Sequence, residues 1–258
     1  MWVLETVAVA FGMYSALPVP RVEWNERNMR YALTAFSLVG AALGLAWWGV
    51  CALSNALALP TVMRGAMRCV LPTLLAGGIH LDGYADTCDA LASHASPARK
   101  QGILRDPHCG AFAVIRLCVY FIAYFALCCA VEPTNAVLWC MGLGFVLSRA
   151  LSGLLLTVLN VAEGSSLAKA FADAAAKRRA RWILCAVSAL LAAGMLWPGH
   201  LTGAVMLCAA ARTVRRYVHT ATREFGGTSG DLAGWFLVKA EFWMLAAIVA
   251  VQYMEKLT

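Results

Sequence analysis

The chain has 258 residues, of which 61% are hydrophobic and 14% charged, and its mean hydropathy is +0.70. An ordinary soluble domain is about half apolar and about a quarter charged, so the composition excludes that class. The net charge of +7 does not indicate a nucleic-acid partner, because the basic residues are spread over the segments between apolar runs instead of forming one patch. We therefore predict a protein whose solvent is the lipid bilayer, with no nucleic acid as partner.

The first twenty residues are apolar, but they do not read as a secretory signal peptide. Glu5 stands where a basic leader is expected, and Leu17-Pro18-Val19-Pro20 lacks the small residues of a cleavage site. We predict a retained helix that lies at the membrane interface.

Seven apolar runs follow, and several approach the ~20 residues that span a hydrocarbon core. They are continuous instead of alternating, which favours helices over the strands of a barrel. We predict an all-α, polytopic membrane bundle of about six or seven spans, forming one domain over residues 1–258. The longer runs are Leu33–Leu59, Ala111–Val131, Ala136–Leu159 and Trp235–Tyr253, and the shorter ones are Val62–Ile79, Trp182–Trp197 and Leu201–Ala211.

Fifteen of the 21 lysines and arginines lie in four segments between these runs. The positive-inside rule places such segments in the cytoplasm. Arg64 and Arg68 break the pattern, so the run from Val62 to Ile79 either re-enters the membrane or turns both arginines toward protein. The four basic segments are residues 18–32, 80–110, 160–181 and 212–230.

An acidic stretch, HLDGYADTCDAL, occupies residues 80–91 and holds Asp82, Asp86 and Asp89. At ~100° per residue, these three side chains fall within about 60° of one another on a helix. Their mutual repulsion is removed by a divalent cation, and Mg²⁺ prefers one or two carboxylates together with water and phosphate oxygens. The spacing favours metal or phosphate chemistry over a merely solvated helix start.

Two further segments combine turn residues with an acid. ILRDPHCGAF places Arg105 beside Asp106 before a turn, which suits a metal together with phosphates or, alternatively, an ordinary basic loop. EFGGTSGDLAG places Gly227 and its neighbouring glycines before Asp231, and such a loop can expose backbone N–H groups to phosphate. Its spacing matches neither GxGxxG nor a P-loop, so nucleotide binding by those mechanisms is not indicated.

Charged residues also occur inside the apolar runs. Arg149 lies midway along one run and Glu241 lies in the last, where a charge is costly unless it faces protein, water or a partner. They are interpreted either as structural ion pairs or as parts of a site. Lys239 has the further option of reaching the membrane interface with its long side chain.

Together these motifs resemble the cobalamin synthase family, the adenosylcobinamide-GDP ribazoletransferases. HLDGYADTCDAL is similar to the family signature HxDGxADxxDG, SRA to its intramembrane arginine, and FGGTSGDLAG to its terminal GGxTGD; SALPVPRVEW and ILRDPHCGAF also resemble family segments. The sequence departs from the signature at Ala90, which stands in place of Gly. Pro107-His108 replaces Ser-Arg, and Val238 stands where an acid is expected.

The resemblance implies a Mg²⁺-dependent transfer in a bacterial inner membrane, with the site facing the cytoplasm. The ribose hydroxyl of α-ribazole or its 5′-phosphate would attack adenosylcobinamide-GDP at its inner phosphate and release GMP. Membrane lipid surrounds such a protein, and its oligomeric state stays open, a homo-oligomer included. The resemblance assigns Asp82, Asp86, Asp89 and Asp106 to the metal, Asp89, Asp231 and Arg149 to catalysis, and His80, Arg105, His108, Gly227 and Glu241 to substrate binding.

Two other functions are compatible with an acidic cluster at a membrane boundary. A CDP-alcohol phosphotransferase acting on lipid uses a related DGxxA motif, but its signature continues into Arg and a later Gly-x₃-Asp-x₃-Asp, which do not follow Ala85. A cation-coupled transporter places acids at mid-membrane in broken helices and contains internal repeats, and no repeat is visible here.

Overall fold

The structure, a computed structural model, describes residues 2–29, 31–162 and 177–257. Within these ranges the chain is helical, and its single β-bridge pairs Val161 with Thr228 without forming a strand. The all-α prediction is therefore confirmed. The helices are α1 (Trp2–Tyr14), α2 (Glu26–Met29), α3 (Ala32–Ala56), α4 (Thr61–Ala76), α5 (Ile79–Ala92), α6 (Pro97–Ile103), α7 (Ala111–Ala130), α8 (Asn135–Val158), α9 (Lys177–Glu224) and α10 (Gly230–Glu255).

Five helical segments are long and apolar enough to cross a membrane: α3, α7, α8, the first part of α9 from Lys177 to Trp197, and α10. The pair α4 and α5 passes the same test jointly, which gives up to six spans. A polytopic membrane bundle is thus confirmed. The run from Leu201 to Ala211 is helical without forming a candidate span, and α1, with 13 residues, is too short to cross.

The chain bends by 93° between α4 and α5, at Gly77-Gly78. Both glycines have left-handed backbone conformations, with φ of +64° and +80°, which residues with a side chain adopt only at a cost. Gly77 ends α4 and Gly78 begins α5. The apolar run of residues 62–79 is therefore not one straight span, and the bend sets the direction of the acidic helix α5.

Both arginines of α4 face protein, as one of the two sequence interpretations requires. Arg64 donates from Nε to the Leu59 carbonyl at 2.7 Å. The Arg68 side chain is buried, and its Nη1 donates to the carbonyls of Cys128 and Val131 at 3.2 Å. Protein carbonyls thus accept hydrogen bonds from both guanidinium groups, although the buried Arg68 Nε has no partner among the described residues.

Helix α9 bends sharply near its middle. A Cβ on Gly203 would overlap the carbonyl of Met195, although residues eight apart in a straight helix are separated by ~12 Å. Both arms return to α8: Trp139 donates to the Gly194 carbonyl at 2.8 Å, and Met206 packs against Gly144. The second arm thereby carries the basic residues of 212–223 toward the end of α5.

Candidate active site

Helix α5 presents the three aspartates on one face, as the sequence predicts. Asp82 is exposed, and Asp86 and Asp89 are half-buried. The charges that act on the Asp86 carboxylate are those of Asp82, Asp231 and Asp89. Four carboxylates, one of them from the far end of the chain, therefore form an acidic cluster, and among the described residues only these acids act on the charge of Asp86.

Glycines allow α10 to reach this cluster. A Cβ on Gly83 would lie 2.7 Å from the Asp231 carbonyl oxygen, and one on Gly234 would lie 2.9 Å from the His80 carbonyl oxygen. Small residues at helix crossings let two backbones touch. The crossing of α5 and α10 at these two glycines thus places the first turn of α10 directly beside the acidic face.

Ser229, and not Asp231, is the N-cap of α10. Ser229 has an extended backbone, and its Oγ accepts a hydrogen bond from the Leu232 N–H at 3.2 Å. Asp231 lies in the first turn, where the helix dipole favours an acid, and its carboxylate faces Asp82. The capping role that would explain Asp231 as purely structural is therefore already filled.

The glycine loop before α10 is closed by its own hydrogen bonds. The Gly227 N–H donates to the Ala221 carbonyl at 2.8 Å. The Thr228 N–H donates to the Asn160 carbonyl, and the Thr228 carbonyl accepts from the Ala162 N–H, both at 2.8 Å. A Cβ on Gly227 would lie 2.6 Å from the Ala162 nitrogen. The Gly227 N–H is thus engaged within the protein, and glycine is needed here for close packing. A role of Gly227 in substrate binding stays a prediction.

Helix α6 holds this loop from outside. Gln101 donates from Nε2 to the Phe225 carbonyl at 2.7 Å, and the buried Lys100 forms an ion pair with Glu224. The hydrogen bond from Lys100 holds the pKa of Glu224 below its ordinary value. The segment that follows the acidic helix is therefore tied to the segment that precedes Asp231.

The turn before α7 contacts the acidic face through a glycine. The Asp89 carboxylate lies against Gly110, where a Cβ would overlap it. Asp106 is exposed, and its Oδ1 accepts from the His108 N–H at 3.0 Å and pairs with His108 Nδ1 at 2.7 Å. The N–H bond holds the pKa of Asp106 below its ordinary value. The structure does not bring Asp106 to the cluster, and Arg105 and His108 are also exposed.

Arg149 and Glu241 form a buried ion pair between α8 and α10. Arg149 Nη1 lies 2.5 Å from Glu241 Oε1, and it also donates to Ser148 Oγ at 3.0 Å and the Phe145 carbonyl at 2.9 Å. The arginine side chain is 2% exposed and the glutamate side chain 9%. This geometry supports the ion-pair interpretation, because each charge is neutralised without a ligand.

His80 lies on the other side of α5 from the acids. Its ring packs edge-on against Phe36 with centroids 5.7 Å apart, and Arg149 acts on it electrostatically. Its Nε2 is buried without a hydrogen-bond partner. The roles of His80, Arg105, His108 and Glu241 in substrate binding, and of Arg149 in catalysis, stay predictions.

Comparison with known proteins places the site in a family. A family model described as cobalamin-5-phosphate synthase matches residues 6–249. The chain belongs to this family. The resemblance drawn from the sequence motifs is thereby confirmed.

Several relatives in the family carry the name adenosylcobinamide-GDP ribazoletransferase. The one from Lachnoclostridium phytofermentans is 38% identical over 249 residues, covering 96% of this chain and 95% of the relative. The one from Azorhizobium caulinodans is 31% identical and covers 90% of this chain and 90% of the relative. The one from Clostridium botulinum is 29% identical and covers 90% of this chain and 92% of the relative. No solved structure matches the chain.

The acidic cluster of this family member has the donor chemistry of a magnesium site. Among the residues that the structure describes, no three His, Cys, Asp or Glu side chains are close enough together to hold a metal ion as they stand. Mg²⁺ does not need three, because it takes one or two carboxylates and completes its shell with water and phosphate oxygens. Asp82, Asp86 and Asp231 supply hard oxygen donors at a partly water-exposed place without a competing cation.

One group of residues was missed in the sequence. Arg116 and Lys239 are charges inside apolar runs of the sequence, and Arg216 belongs to the basic segment 212–230. The structure brings all three to one cavity. The sequence signal is the spacing of three arginines in one helix: Arg212 and Arg216 are four residues apart and share one face, and Arg215 lies beside them. This spacing indicates a basic surface on that helix.

Proposed function

We propose that this protein joins adenosylcobinamide-GDP to α-ribazole or its 5′-phosphate in a Mg²⁺-dependent transfer that releases GMP. The names of its relatives support the substrates and the reaction class. The observation that carries the proposal is the convergence of Asp82, Asp86, Asp89 and Asp231 from two distant segments into one acidic cluster. Such a cluster suits a divalent cation and a phosphate chain together.

In the proposed reaction, the ribose hydroxyl oxygen forms a new bond to the phosphorus next to the corrinoid. The bond from that phosphorus to the bridging oxygen breaks, and GMP leaves with the electron pair. The hydroxyl proton passes to a carboxylate, for which Asp231 and Asp89 are the candidates. Little covalent help is needed from protein in such a transfer, so positioning and charge neutralisation supply most of the rate.

Asp82 and Asp86 are the proposed metal ligands, with Asp89 as a further ligand or the base. Bound Mg²⁺ supplies neutralisation of the phosphate oxygens. Asp231 enters the cluster from a different helix than the other three, and its proposed role is to hold the attacking hydroxyl and, as an alternative to Asp89, to accept its proton. Asp106 stays a proposed metal ligand, but its carboxylate would first have to give up its contacts with His108.

We place the site at the cytoplasmic face of a bacterial inner membrane. The Lys100–Glu224 ion pair supports this placement, because it joins two of the four segments that the positive-inside rule assigns to the cytoplasm. The segment of residues 160–181 lies partly outside the described residues, and its C-terminal part begins α9. Asn160 lies on the same side, since it bonds Thr228.

Turnover by purified protein in detergent tests the proposal against its alternatives. With Mg²⁺, adenosylcobinamide-GDP and α-ribazole, we expect GMP and a corrinoid product in equal amounts, and parallel reactions with the 5′-phosphate identify the better acceptor. Asp86→Asn serves as the inactive control. Release of CMP from a CDP-activated lipid without GMP release would support the lipid phosphotransferase instead, and no turnover of either donor would favour a transporter.

A further inference from the structure

A cavity of about 1280 Å³ lies between α5, α7, α9 and α10. On α5 it is lined by Tyr84, Cys88, Leu91 and Ala92. At ~100° per residue, Tyr84 lies about 160° around the helix from Asp82 and Asp86, and Cys88 lies about 160° from Asp86 and about 120° from Asp82. None of the aspartates of the acidic cluster is among the described residues that line the cavity. The cavity is therefore separate from the acidic cluster, although the same helix forms a wall of both.

The charge of the cavity wall is strongly positive. Arg116 of α7, Arg212, Arg215 and Arg216 of α9, and Lys239 of α10 line it, which brings cations from three helices to one space. In the part of the chain that the structure describes, Glu224 is the one acid in the lining, and it is paired with Lys100. The charge of Arg216 also acts on Glu224, so this one acid is shared between Lys100 and Arg216, and the cations of the described wall still outnumber it.

Two of these cations repel a third, Lys239. Lys239 is a half-buried residue of α10, and the charges of Arg116 and Arg216 act on it. Each of these two pairs of like charges raises the free energy of the folded protein, and water screens part of the cost because Arg116 and Arg216 are exposed. An anion in the cavity would interact favourably with all three at once, and the planar guanidinium groups match the geometry of phosphate oxygens.

Aromatic side chains complete the wall. Tyr84, Phe112, Trp235 and Trp243 line the cavity, and the Lys239 ammonium lies 5.6 Å from the centre of the Trp235 ring. Aromatic faces accept flat or apolar groups and also hold a neighbouring cation in place. A ligand that fits this wall therefore carries an anionic group at one end and an apolar or ring-shaped body at the other.

We propose that this cavity binds a phosphate ester, with its phosphate on Arg116, Arg216 and Lys239 and its organic part on the tryptophans. Two sources share this chemistry: a soluble nucleotide-like ester, and the headgroup of an anionic phospholipid that enters beside the exposed Phe112 and Trp243. The site goes beyond the proposed transfer and does not depend on it, because binding here needs neither magnesium nor turnover.

Binding of GMP to purified protein in neutral detergent with EDTA tests the soluble source. Without a divalent cation the acidic cluster repels phosphate, so the cavity is the place left for it. We expect calorimetric titration to show GMP binding, no binding of guanosine, and at least tenfold weaker binding in Arg216→Gln and Lys239→Gln. Arg223→Gln removes an exposed arginine of the same helix outside the cavity wall and is expected to bind as the wild type does.

Nanodiscs test the lipid source. If the headgroup occupies the cavity, phosphatidylglycerol added to phosphatidylcholine discs abolishes GMP binding, and native mass spectrometry finds phosphatidylglycerol retained by wild type and lost from Lys239→Gln. If the variants lose GMP binding and phosphatidylglycerol does not reduce GMP binding to wild type, the ligand of the cavity is the soluble ester. Phosphate probes that bind equally to wild type, Arg216→Gln and Lys239→Gln, or that do not bind at all, would overturn the proposal.

The thermal stability of the empty variants provides an independent check. Because Arg116→Gln removes repulsion of Lys239 at an exposed position, its unfolding temperature without ligand should equal or exceed that of wild type. A lower unfolding temperature would show that the charge is already satisfied within the protein, and this result would also overturn the proposal.

Discussion

Gly83 of α5 and Asp231 of α10 lie in backbone contact, so close that a Cβ on the glycine would come within 2.7–2.8 Å of the Asp231 carbonyl oxygen and Cα. This contact joins the acidic helix to a segment near the other end of the chain. It explains why a residue without a side chain stands between Asp82 and Tyr84 in the acidic motif.

Gly83→Ala should separate the two helices and lower turnover at least tenfold. Overpacking of a tight contact typically costs 1–3 kcal/mol, and the atoms met here belong to backbone, which cannot rotate away. Gly49→Ala is the matched control, since that helical glycine of α3 has nothing within 4 Å of its Cβ position. GMP release and the unfolding temperature in detergent measure both effects. Equal activity of the two variants would mean that the crossing does not position Asp231.

Asp82→Asn, Asp86→Asn and Asp89→Asn should each abolish turnover without lowering the unfolding temperature in the absence of magnesium. The physical reason is that each substitution removes a charge that repels its neighbours while it removes a ligand or base. Glu132→Gln is the control, because this exposed acid pairs with Lys256 outside the cluster. Near-normal GMP release in any two of the three aspartate variants would show that the cluster is not the site.

Substitutions at Asp231 and at Ser229, two residues before it, should distinguish a role in the reaction from a role in capping α10. Ser229→Ala removes the cap of α10 and is expected to cost about 1 kcal/mol in stability, with a smaller effect on the rate. Asp231→Asn keeps the cap and should lower turnover at least tenfold, about 1.4 kcal/mol in the barrier, at unchanged stability. The reverse pattern, with stable but inactive Ser229→Ala and active Asp231→Asn, would refute the assignment.

The Arg149–Glu241 pair should behave as a structural unit. Arg149→Met or Glu241→Gln alone leaves a buried charge without its partner, which typically costs 3–5 kcal/mol, so the unfolding temperature should fall markedly. The double variant Arg149→Met/Glu241→Met removes both charges and should recover most of the loss. If Arg149 also touches substrate, the double variant regains stability without regaining GMP release. Single variants as stable as wild type would contradict the ion-pair account.

Much of the fold followed from the sequence, because apolar length and continuity are dictated by the bilayer. The single acidic face of α5 was also predictable, since it depends only on helical spacing within residues 82–89. The 93° bend at Gly77-Gly78 was not, because a glycine pair permits a left-handed turn without requiring it.

The site was predictable only in part, because its contacts join distant segments. The approach of Asp231 depends on the fit between Gly83 and Gly234, which no local pattern reveals. The glycine loop invited a phosphate interpretation, and the structure instead uses the Gly227 N–H for an internal bond. Asp106 beside Arg105 suggested a ligand, whereas its carboxylate bonds His108 two residues on.

The most direct test of the account is the coupling between Asp86 and Asp231 in magnesium-dependent GMP release. Residues that act as one unit give non-additive losses, because the first substitution already removes what the second would. We predict that Asp86→Glu, which displaces the carboxylate without removing it, and Asp231→Asn each lose at least tenfold and keep a measurable rate, and that the double variant loses no more than the less active of the two single variants at every magnesium concentration. Losses that multiply in the double variant would show that the two helices do not form one site.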